Sequence, residues 1–280
     1  RALAGEDADP ATVATAAVAV ECFHKASLIH DDIEDDDPVR YGKPAMHEAL
    51  GLPVALNVGD YLLGEGYRLL SRATADPTRT ADMMRVAAEG HHELCLGQGD
   101  ELTWARNPRP LSVREVLNIF RRKTSPAFEV ALRVGAALAG QEPQLRDALH
   151  RYSVAVGIAY QIRDDLDDGS ATGPDGDLSS MRPSVLPAIA LQRAETDDAR
   201  LLQRVWTRRA SEDDRRQLEE VLTRLDVRPI AQGMLEFHKA RAIRALIGLP
   251  SVELKALLRR LVAKIFGDVE TMGCCDEHSS

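Results

Sequence analysis

Residues 27–40, SLIHDDIEDDDPVR, run from an apolar segment into six acidic residues within seven positions, Asp31 to Asp37. The apolar segment repeats hydrophobic residues at helical spacing, which predicts a helix over 11–34. On that helix Asp31 and Asp35 are one turn apart, where like charges repel each other, and acids at a helix C-terminus also oppose the helix dipole. The negative charge of such a cluster must be compensated by solvent, by basic side chains or by divalent cations.

The same pattern occurs a second time. Residues 157–168, GIAYQIRDDLDD, repeat the DDxxD spacing at the end of another apolar helical stretch. A solvated helix end is the ordinary explanation of one acidic cluster, but two clusters that each close an apolar helix indicate a common use. Facing each other, they would bind several Mg²⁺ ions and, through these ions, an anionic group such as a diphosphate, above an apolar pocket for a hydrocarbon tail. The predicted metal ligands are Asp31, Asp32, Asp35, Asp164, Asp165 and Asp168.

The composition is typical of a globular, mainly helical protein. Of 280 residues 44% are hydrophobic and only 4% aromatic, and runs of β-branched residues are scarce. No long linker divides the chain, so we predict one all-α domain over residues 1–280. Ser112 and Glu115 form a predicted capping box. The other predicted helices span 52–72, 79–101, 112–139, 142–169, 181–208, 211–225, 229–246 and 251–268.

Charge and cysteine usage restrict the partners and the compartment. The net charge is −9, so we expect no nucleic-acid binding, and an anionic partner would need a local cluster of basic residues or bound cations. No uninterrupted apolar run reaches the roughly 18 residues of a membrane span, so we expect no stable membrane insertion. Four cysteines without a CxxC pair favour a reducing, cytoplasmic setting. His91 and His92, on a polar stretch, are predicted to be solvated.

Taken in order, the motifs resemble the trans-isoprenyl diphosphate synthases, the polyprenyl synthetase family. LIHDDIED with the following RYGKPAMH is similar to its first Asp-rich motif, and YQIRDDLDD to its second; NVGDYLL (57–63), GQGDEL (97–102) and RRKTSPAF (121–128) match signatures between them. The resemblance implies the isoprenoid synthase fold, a helical bundle around a deep central cavity, usually in a homodimer. It also implies Mg²⁺-assisted ionisation of an allylic isoprenyl diphosphate, with three ions expected, and attack of isopentenyl diphosphate on the allylic cation.

The resemblance assigns catalytic and substrate-binding roles to particular residues. Arg40 and Lys123 would contact the allylic diphosphate. Thr124 and Gln161 would lie near the reacting carbons, so that Lys123, Thr124 and Gln161 are the catalytic candidates. Arg182 stands where the family has a lysine and is a further candidate for substrate binding.

Residues before the first Asp-rich motif would bind the second substrate and set product length. His24, seven residues before Asp31, matches a histidine that contacts isopentenyl diphosphate in the family. Ala26 and Ser27 are small where short-chain members often carry aromatics, so they would leave the chain-length pocket open. Phe23 is the next candidate for the floor of that pocket, which predicts products longer than fifteen carbons.

Two differences from the family concern the residues that bind isopentenyl diphosphate. Tyr41 replaces the second Arg of the family's Arg-Arg-Gly, and tyrosine cannot make the charge-assisted contacts of a guanidinium. The family's N-terminal helices, with their Gly-Lys-x-x-Arg element, would lie upstream of Arg1, so truncation is an alternative explanation of their absence but not of Tyr41. The alternative is therefore a class I terpene cyclase that acts on one allylic diphosphate without isopentenyl diphosphate. The two hypotheses differ in whether a second diphosphate site exists.

Overall fold

The structure is a computed structural model that describes residues 2–3, 9–168 and 182–267. The described residues are helical apart from short connections and one hairpin, in which β1 (Val39–Arg40) pairs antiparallel with β2 (Lys43–Pro44). The all-α prediction is confirmed. The helices are α1 (Pro10–Glu34), α2 (Met46–Leu50), α3 (Leu52–Leu70), α4 (Pro77–Arg106), α5 (Val113–Leu138), α6 (Glu142–Asp168), α7 (Val185–Arg193), α8 (Thr196–Trp206), α9 (Glu212–Arg224), α10 (Val227–Ala245) and α11 (Val252–Phe266).

Polar side chains begin the long helices. Asp9 and Asp76 accept hydrogen bonds from backbone amides in the first turns of α1 and α4, each followed by a proline that needs no such partner. The capping box predicted at Ser112 and Glu115 is confirmed, since each side chain bonds the backbone amide of the other residue. These caps fix where α1, α4 and α5 start.

Two predicted helices differ from those observed. The helix predicted over 79–101 continues to Arg106 and ends just before Asn107 and its following proline, because a residue before proline disfavours helical backbone. The helix predicted over 181–208 is wrong. Residues 182–184 are not helical, and extended backbone at Ala194 separates α7 from α8. The hairpin and the short helix α2 were not predicted.

Three apolar clusters form the core, and α5 contributes to all of them. It packs between α4 and α6, while α6 also packs on α10 and α1 packs on α3. The two tryptophans, Trp104 and Trp206, are buried edge to face with ring centroids 5.8 Å apart. The central position of α5 brings its polar residues close to both neighbouring helices.

Two glycines set the spacing around α5. A Cβ at Gly97 of α4 would lie 2.4 Å from the carbonyl carbon of Arg122, and one at Gly157 of α6 would lie 2.5 Å from Ser125 Oγ. Any larger residue would force these helices apart. Both contacts flank Lys123 and Thr124, so the close packing positions the middle of α5 against α4 and α6.

Helix α1 is, among the described residues, the one helix long and apolar enough by composition to cross a membrane. The core helix of a globular protein can meet the same test. Here α1 packs on α3 and α5 and ends in the acidic cluster at Asp31. The expectation that the chain does not insert stably into a bilayer stays a prediction.

Candidate active site

The first acidic cluster lies at the C-terminal end of α1. The amide of Asp35 donates to the carbonyl of Asp31 at 2.8 Å, which confirms that the two residues are one helical turn apart. Burial is the main cause that raises the pKa of Asp31 to about 6; Lys123 acts against it, and Asp35 adds to it. Burial likewise raises the pKa of Asp35. The two carboxylates therefore lie in a place that disfavours their negative charge unless a cation compensates it.

Asp32 has a different environment from its two neighbours. It is 4% exposed, and the guanidinium of Arg40 binds its carboxylate, with Nε 2.7 Å from Oδ1. Arg40 reaches it because the hairpin turns tightly at Tyr41 and Gly42, both of which have positive φ angles of 54° and 72°. The structure thus groups Asp31 with Asp35 and pairs Asp32 with Arg40.

A buried ion pair lies beside Asp31 and Asp35. Lys123 Nζ of α5 donates to Glu101 Oε1 of α4 at 2.9 Å, and both side chains are largely buried. The ammonium group opposes the rise in pKa of Asp31 and Asp35, so it faces the first cluster. Glu101 was not predicted as a site residue, although it falls within the GQGDEL signature.

The predicted catalytic pair on α5 and α6 is in contact. Gln161 Nε2 donates to Thr124 Oγ1 at 2.9 Å. Gln161 lies one turn before Asp164 on α6, and Thr124 follows Lys123 on α5. The hydrogen bond therefore joins polar groups that lie next to both acidic clusters.

The second acidic cluster ends α6. Asp164 Oδ1 accepts from Arg163 Nη2 at 3.1 Å. Asp165 Oδ2 accepts from Ser184 Oγ at 3.0 Å and from the amide of Val185 at 2.6 Å, which ties it to the start of α7. Asp168 is the last residue of α6, and its side chain lies outside the described part of the structure.

Arg182 connects the two clusters. Its Nη2 atom lies 2.8 Å from Asp35 Oδ2 and 3.0 Å from Asp37 Oδ2. Two residues later, Ser184 bonds Asp165 of the second cluster. The segment 182–185 therefore contacts both Asp-rich motifs, which places them at the same end of the bundle, as their predicted shared use requires.

Aromatic side chains lie below the first cluster, towards the N-terminus of α1. Phe23 meets Tyr67 of α3 edge to face, with ring centroids 4.9 Å apart. The Tyr67 hydroxyl lies 3.2 Å from His91 Nδ1 of α4, and burial lowers the pKa of His91. The prediction of a solvated His91 is wrong, because α4 turns this residue towards α3; His92 is exposed as predicted.

The small residues predicted for the chain-length pocket lie between this aromatic group and the acids. Ala26 is fully buried, and Ser27 is half-buried with its hydroxyl donating to the His24 carbonyl at 2.9 Å. His24 itself is on the exposed side of α1. Ala26 thus lies against packed neighbours, and its place in a chain-length pocket stays a prediction.

The donor set suits Mg²⁺, a hard cation that prefers carboxylate oxygens. Within the described residues, no three acidic, histidine or cysteine side chains converge closely enough to hold a metal by themselves. Mg²⁺ is usually held by one or two carboxylates together with substrate phosphates rather than by a complete protein cage. Asp31 and Asp35, with raised pKa values and Lys123 nearby, fit that mode of binding.

Comparison with known proteins identifies the family. The polyprenyl synthetase family model matches residues 1–224, and the chain belongs to this family. Geranylgeranyl diphosphate synthase from Methanosarcina mazei is 35% identical over 175 residues, which are 62% of this chain and 53% of that protein. The chain thus spans about half the length of that curated relative.

Solved structures share the fold. Geranylgeranyl pyrophosphate synthetase from Pyrococcus horikoshii has a TM-score of 0.82 at 26% identity, covering 92% of this chain and 80% of that one. Geranylgeranyl pyrophosphate synthase from Corynebacterium glutamicum, complexed with isoprenyl diphosphate and magnesium, has a TM-score of 0.79 at 25% identity, covering 92% and 79%. The predicted family and all-α isoprenoid synthase fold are therefore confirmed.

Proposed function

We propose that this protein is a Mg²⁺-dependent trans-prenyltransferase that joins an allylic isoprenyl diphosphate to isopentenyl diphosphate and releases a longer trans-prenyl diphosphate. The observation that carries the proposal is the meeting of the two Asp-rich motifs through segment 182–185, beside the Lys123–Glu101 pair. The names of the relatives support chain elongation.

The carboxylates and cations of the site would bind the allylic diphosphate. Asp31 and Asp35, with Asp164 from the second motif, would hold Mg²⁺, and we propose three ions across the two clusters. Bound there, Mg²⁺ supplies Lewis-acid neutralisation of the charge that develops on the leaving diphosphate. Lys123 and Arg182 contribute fixed positive charge at the same end of the bundle, and the low exposure of Lys123 strengthens its effect.

Other residues would act on the hydrocarbon part of the substrate. The hydrogen bond between Gln161 and Thr124 holds two side-chain oxygens beside the clusters, where they stabilise positive charge on carbon. The apolar wall from Ala26 down to Phe23 excludes water from the allylic cation. In the family the diphosphate is thought to accept the final proton, so no dedicated base is assigned.

The proposal also includes a binding place for the second substrate, isopentenyl diphosphate. His24 is on the exposed side of α1, where it could meet isopentenyl diphosphate, and Tyr41 at the hairpin tip is 76% exposed. Lys25 Nζ lies 5.7 Å from the centre of the Tyr41 ring and brings positive charge to the position that lacks the second arginine. The relatives and structures compared above are named as synthases, and they give no support to the cyclase alternative.

We also propose a homodimer located in the cytoplasm. Several large apolar residues of α2 and α3 are exposed, which favours their burial by a second copy. These residues are Leu50, Leu52, Val54 and Leu56. The cytoplasmic location rests on the cysteine pattern of the sequence.

Single substitutions of Asp31 and Asp164 by Ala test the metal-binding part of the proposal. Each should lower the rate of diphosphate release roughly 100-fold or more, as expected for loss of a preorganised charge-stabilising group. Asp197→Ala is the matched control, because its side chain is 93% exposed on α8. A near-normal rate in either Asp31→Ala or Asp164→Ala would contradict the assignment.

A further inference from the structure

The C-terminal corner of the described chain, residues 241–267, has the opposite charge to the rest of the protein. It contains six Lys and Arg residues and a single acid, Glu253, a net charge of +5 in a chain whose net charge is −9; four further acids follow in residues 268–280, outside the described part. The corner comprises the end of α10, the following turn and all of α11. It lies outside residues 1–224 matched by the family model. The six basic residues are Arg241, Arg244, Lys255, Arg259, Arg260 and Lys264.

These cations are not used in ion pairs within the described fold; Arg241 alone stacks over an aromatic ring, that of Phe237. Five of them are exposed and Lys255 is half-buried. Within the described part of the chain, none of the six makes an ion pair with a carboxylate. By contrast, exposed arginines of α8 and α9 such as Arg200 and Arg216 lie 3.4 and 3.6 Å from an acid on their own helix. The described part of the corner therefore presents a concentrated positive charge.

Exposed aliphatic side chains lie among these cations. Ile247 in the turn is 72% exposed and Val252 at the start of α11 is 75% exposed; Leu257 is 37% exposed. The opposite face of α11 is buried through Leu254, Leu258 and Val262. Exposed aliphatic side chains on α11 and in the turn before it thus lie among cations, a composition found in helices that lie in the headgroup region of a bilayer.

We propose that the corner formed by residues 241–267 is a docking surface for an anionic phospholipid membrane. Clustered Lys and Arg residues attract the negative surface of such a bilayer, and Ile247 and Val252 would enter below the headgroups. A nucleic acid would leave these aliphatic residues without a partner. A second copy of the corner would bring equal positive charges together, which disfavours a symmetric dimer through this face.

The surface is connected to the acidic clusters by α11 itself. The carbonyl of Ile265, at the C-terminal end of α11, accepts a hydrogen bond from Arg163, which also bonds Asp164. Docking through the corner would therefore place the second Asp-rich motif beside the C-terminal end of the docked helix, although the lipid proposal does not depend on the proposed reaction.

Vesicle flotation of the full chain tests the proposal. We expect binding to phosphatidylcholine vesicles that contain phosphatidylglycerol, weak binding to phosphatidylcholine alone, and loss of binding at high salt. The double variant Arg259→Glu/Arg260→Glu should lower the vesicle partition coefficient roughly tenfold or more. The control Arg200→Glu/Arg216→Glu makes the same change in net charge on α8 and α9, and should bind as the unmodified chain does. Val252→Asp tests the apolar contribution and should also weaken binding.

Circular dichroism checks that each variant folds, and vesicle binding is then measured for each folded variant. Absence of binding to the phosphatidylglycerol vesicles would overturn the proposal. Equal losses in the corner variant and the control variant would also overturn it, because the effect would then be one of net charge alone. Tighter binding of a single-stranded oligonucleotide than of the vesicles would instead identify a nucleic-acid surface.

Discussion

Arg182 Nη2 lies 2.8 Å from Asp35 Oδ2, and this contact joins the segment before α7 to the end of α1 across 147 positions of the chain. The same segment binds Asp165 through Ser184. Arg182 also contacts Asp37, so its guanidinium offsets the charge of two acids of the first cluster. Together with Arg40 and Lys123, this side chain lowers the negative charge that the cluster presents.

Replacement of Arg182 by Ala should therefore weaken use of the allylic substrate. We expect kcat/KM for the allylic diphosphate to fall roughly 10- to 100-fold, because a charge-assisted contact is lost, while Arg182→Lys keeps the charge and recovers part of the rate. Stability should change little, since the side chain is 48% exposed. Steady-state kinetics of both variants, with Arg200→Ala as control, check this, and unchanged kinetics in Arg182→Ala would refute it.

Product length should respond to the residues between the acids and the aromatic floor. Ala26→Phe fills the wall at a fully buried position and should shorten the products, whereas Phe23→Ala opens the floor against Tyr67 and should lengthen them. Ala17→Phe, on the exposed side of the same helix, is the matched control. Product chain length is read by chromatography of the dephosphorylated alcohols. An unchanged distribution in both folded variants would remove this pocket from the account.

Helical periodicity accounts for what could be predicted of the site. Asp31 and Asp35, or Gln161 and Asp164, share a face because they belong to one helix, whose repeat is readable in the sequence. The pairing of Asp32 with Arg40 depends on positive φ at Tyr41, a residue type that rarely adopts it. Sequence spacing carries no signal for such a turn.

Contacts between helices were harder to predict from the sequence. Glu101 and Lys123 are on different helices, and their ion pair depends on the close approach at Gly97. His91 was predicted to be solvated from the polarity of its neighbours, but its exposure depends on which side of α4 faces α3. Local pattern identifies a helix and its polar residues, while the neighbouring helix decides which of those residues are buried.

The fold also contains a buried carboxylate whose removal should destabilise it. Glu142 is fully buried at the start of α6 and accepts hydrogen bonds from Arg146 at 2.8 Å, Arg133 at 2.9 Å and Arg85 at 3.2 Å. The bonds from Arg146 are the main cause that lowers the pKa of Glu142 to about 2. Glu142→Gln should cost about 2 kcal/mol of unfolding free energy at neutral pH, because it weakens the charge-assisted hydrogen bonds from three guanidinium groups, while Arg133 keeps Glu89 and Glu129 as partners.

The pH dependence of that cost follows from the lowered pKa. Because the folded protein holds Glu142 ionised more strongly than the unfolded chain does, its contribution is complete above the ordinary value of 4.5 and is lost as the pH falls towards 2. Urea unfolding of Glu142→Gln and of the exposed control Asp197→Asn, at several pH values, measures how the loss of unfolding free energy depends on pH. A Glu142→Gln variant as stable as the control at neutral pH would contradict this prediction.

His238 should make the protein sensitive to mild acid. It is 5% exposed on α10, and burial, with a smaller effect of Arg241, lowers its pKa from 6.5 to about 4. The neutral ring is favoured in the fold, so stability is lost as the pH falls from 6.5 towards 4. His238→Gln should remove about 2 kcal/mol of that loss. Unfolding free energies measured between pH 4 and 7 for wild type, His238→Gln and the exposed control His92→Gln test this prediction. Parallel pH profiles for wild type and His238→Gln would argue against it.

The most direct measurement of the proposed activity is product analysis with Mg²⁺ and allylic diphosphates of increasing length, each with and without isopentenyl diphosphate. The account predicts that turnover requires isopentenyl diphosphate and that every product is a longer prenyl diphosphate. Tyr41 is then a tolerated substitution beside Lys25. Release of diphosphate together with a hydrocarbon or an alcohol from the allylic substrate alone would contradict the account and identify a cyclase.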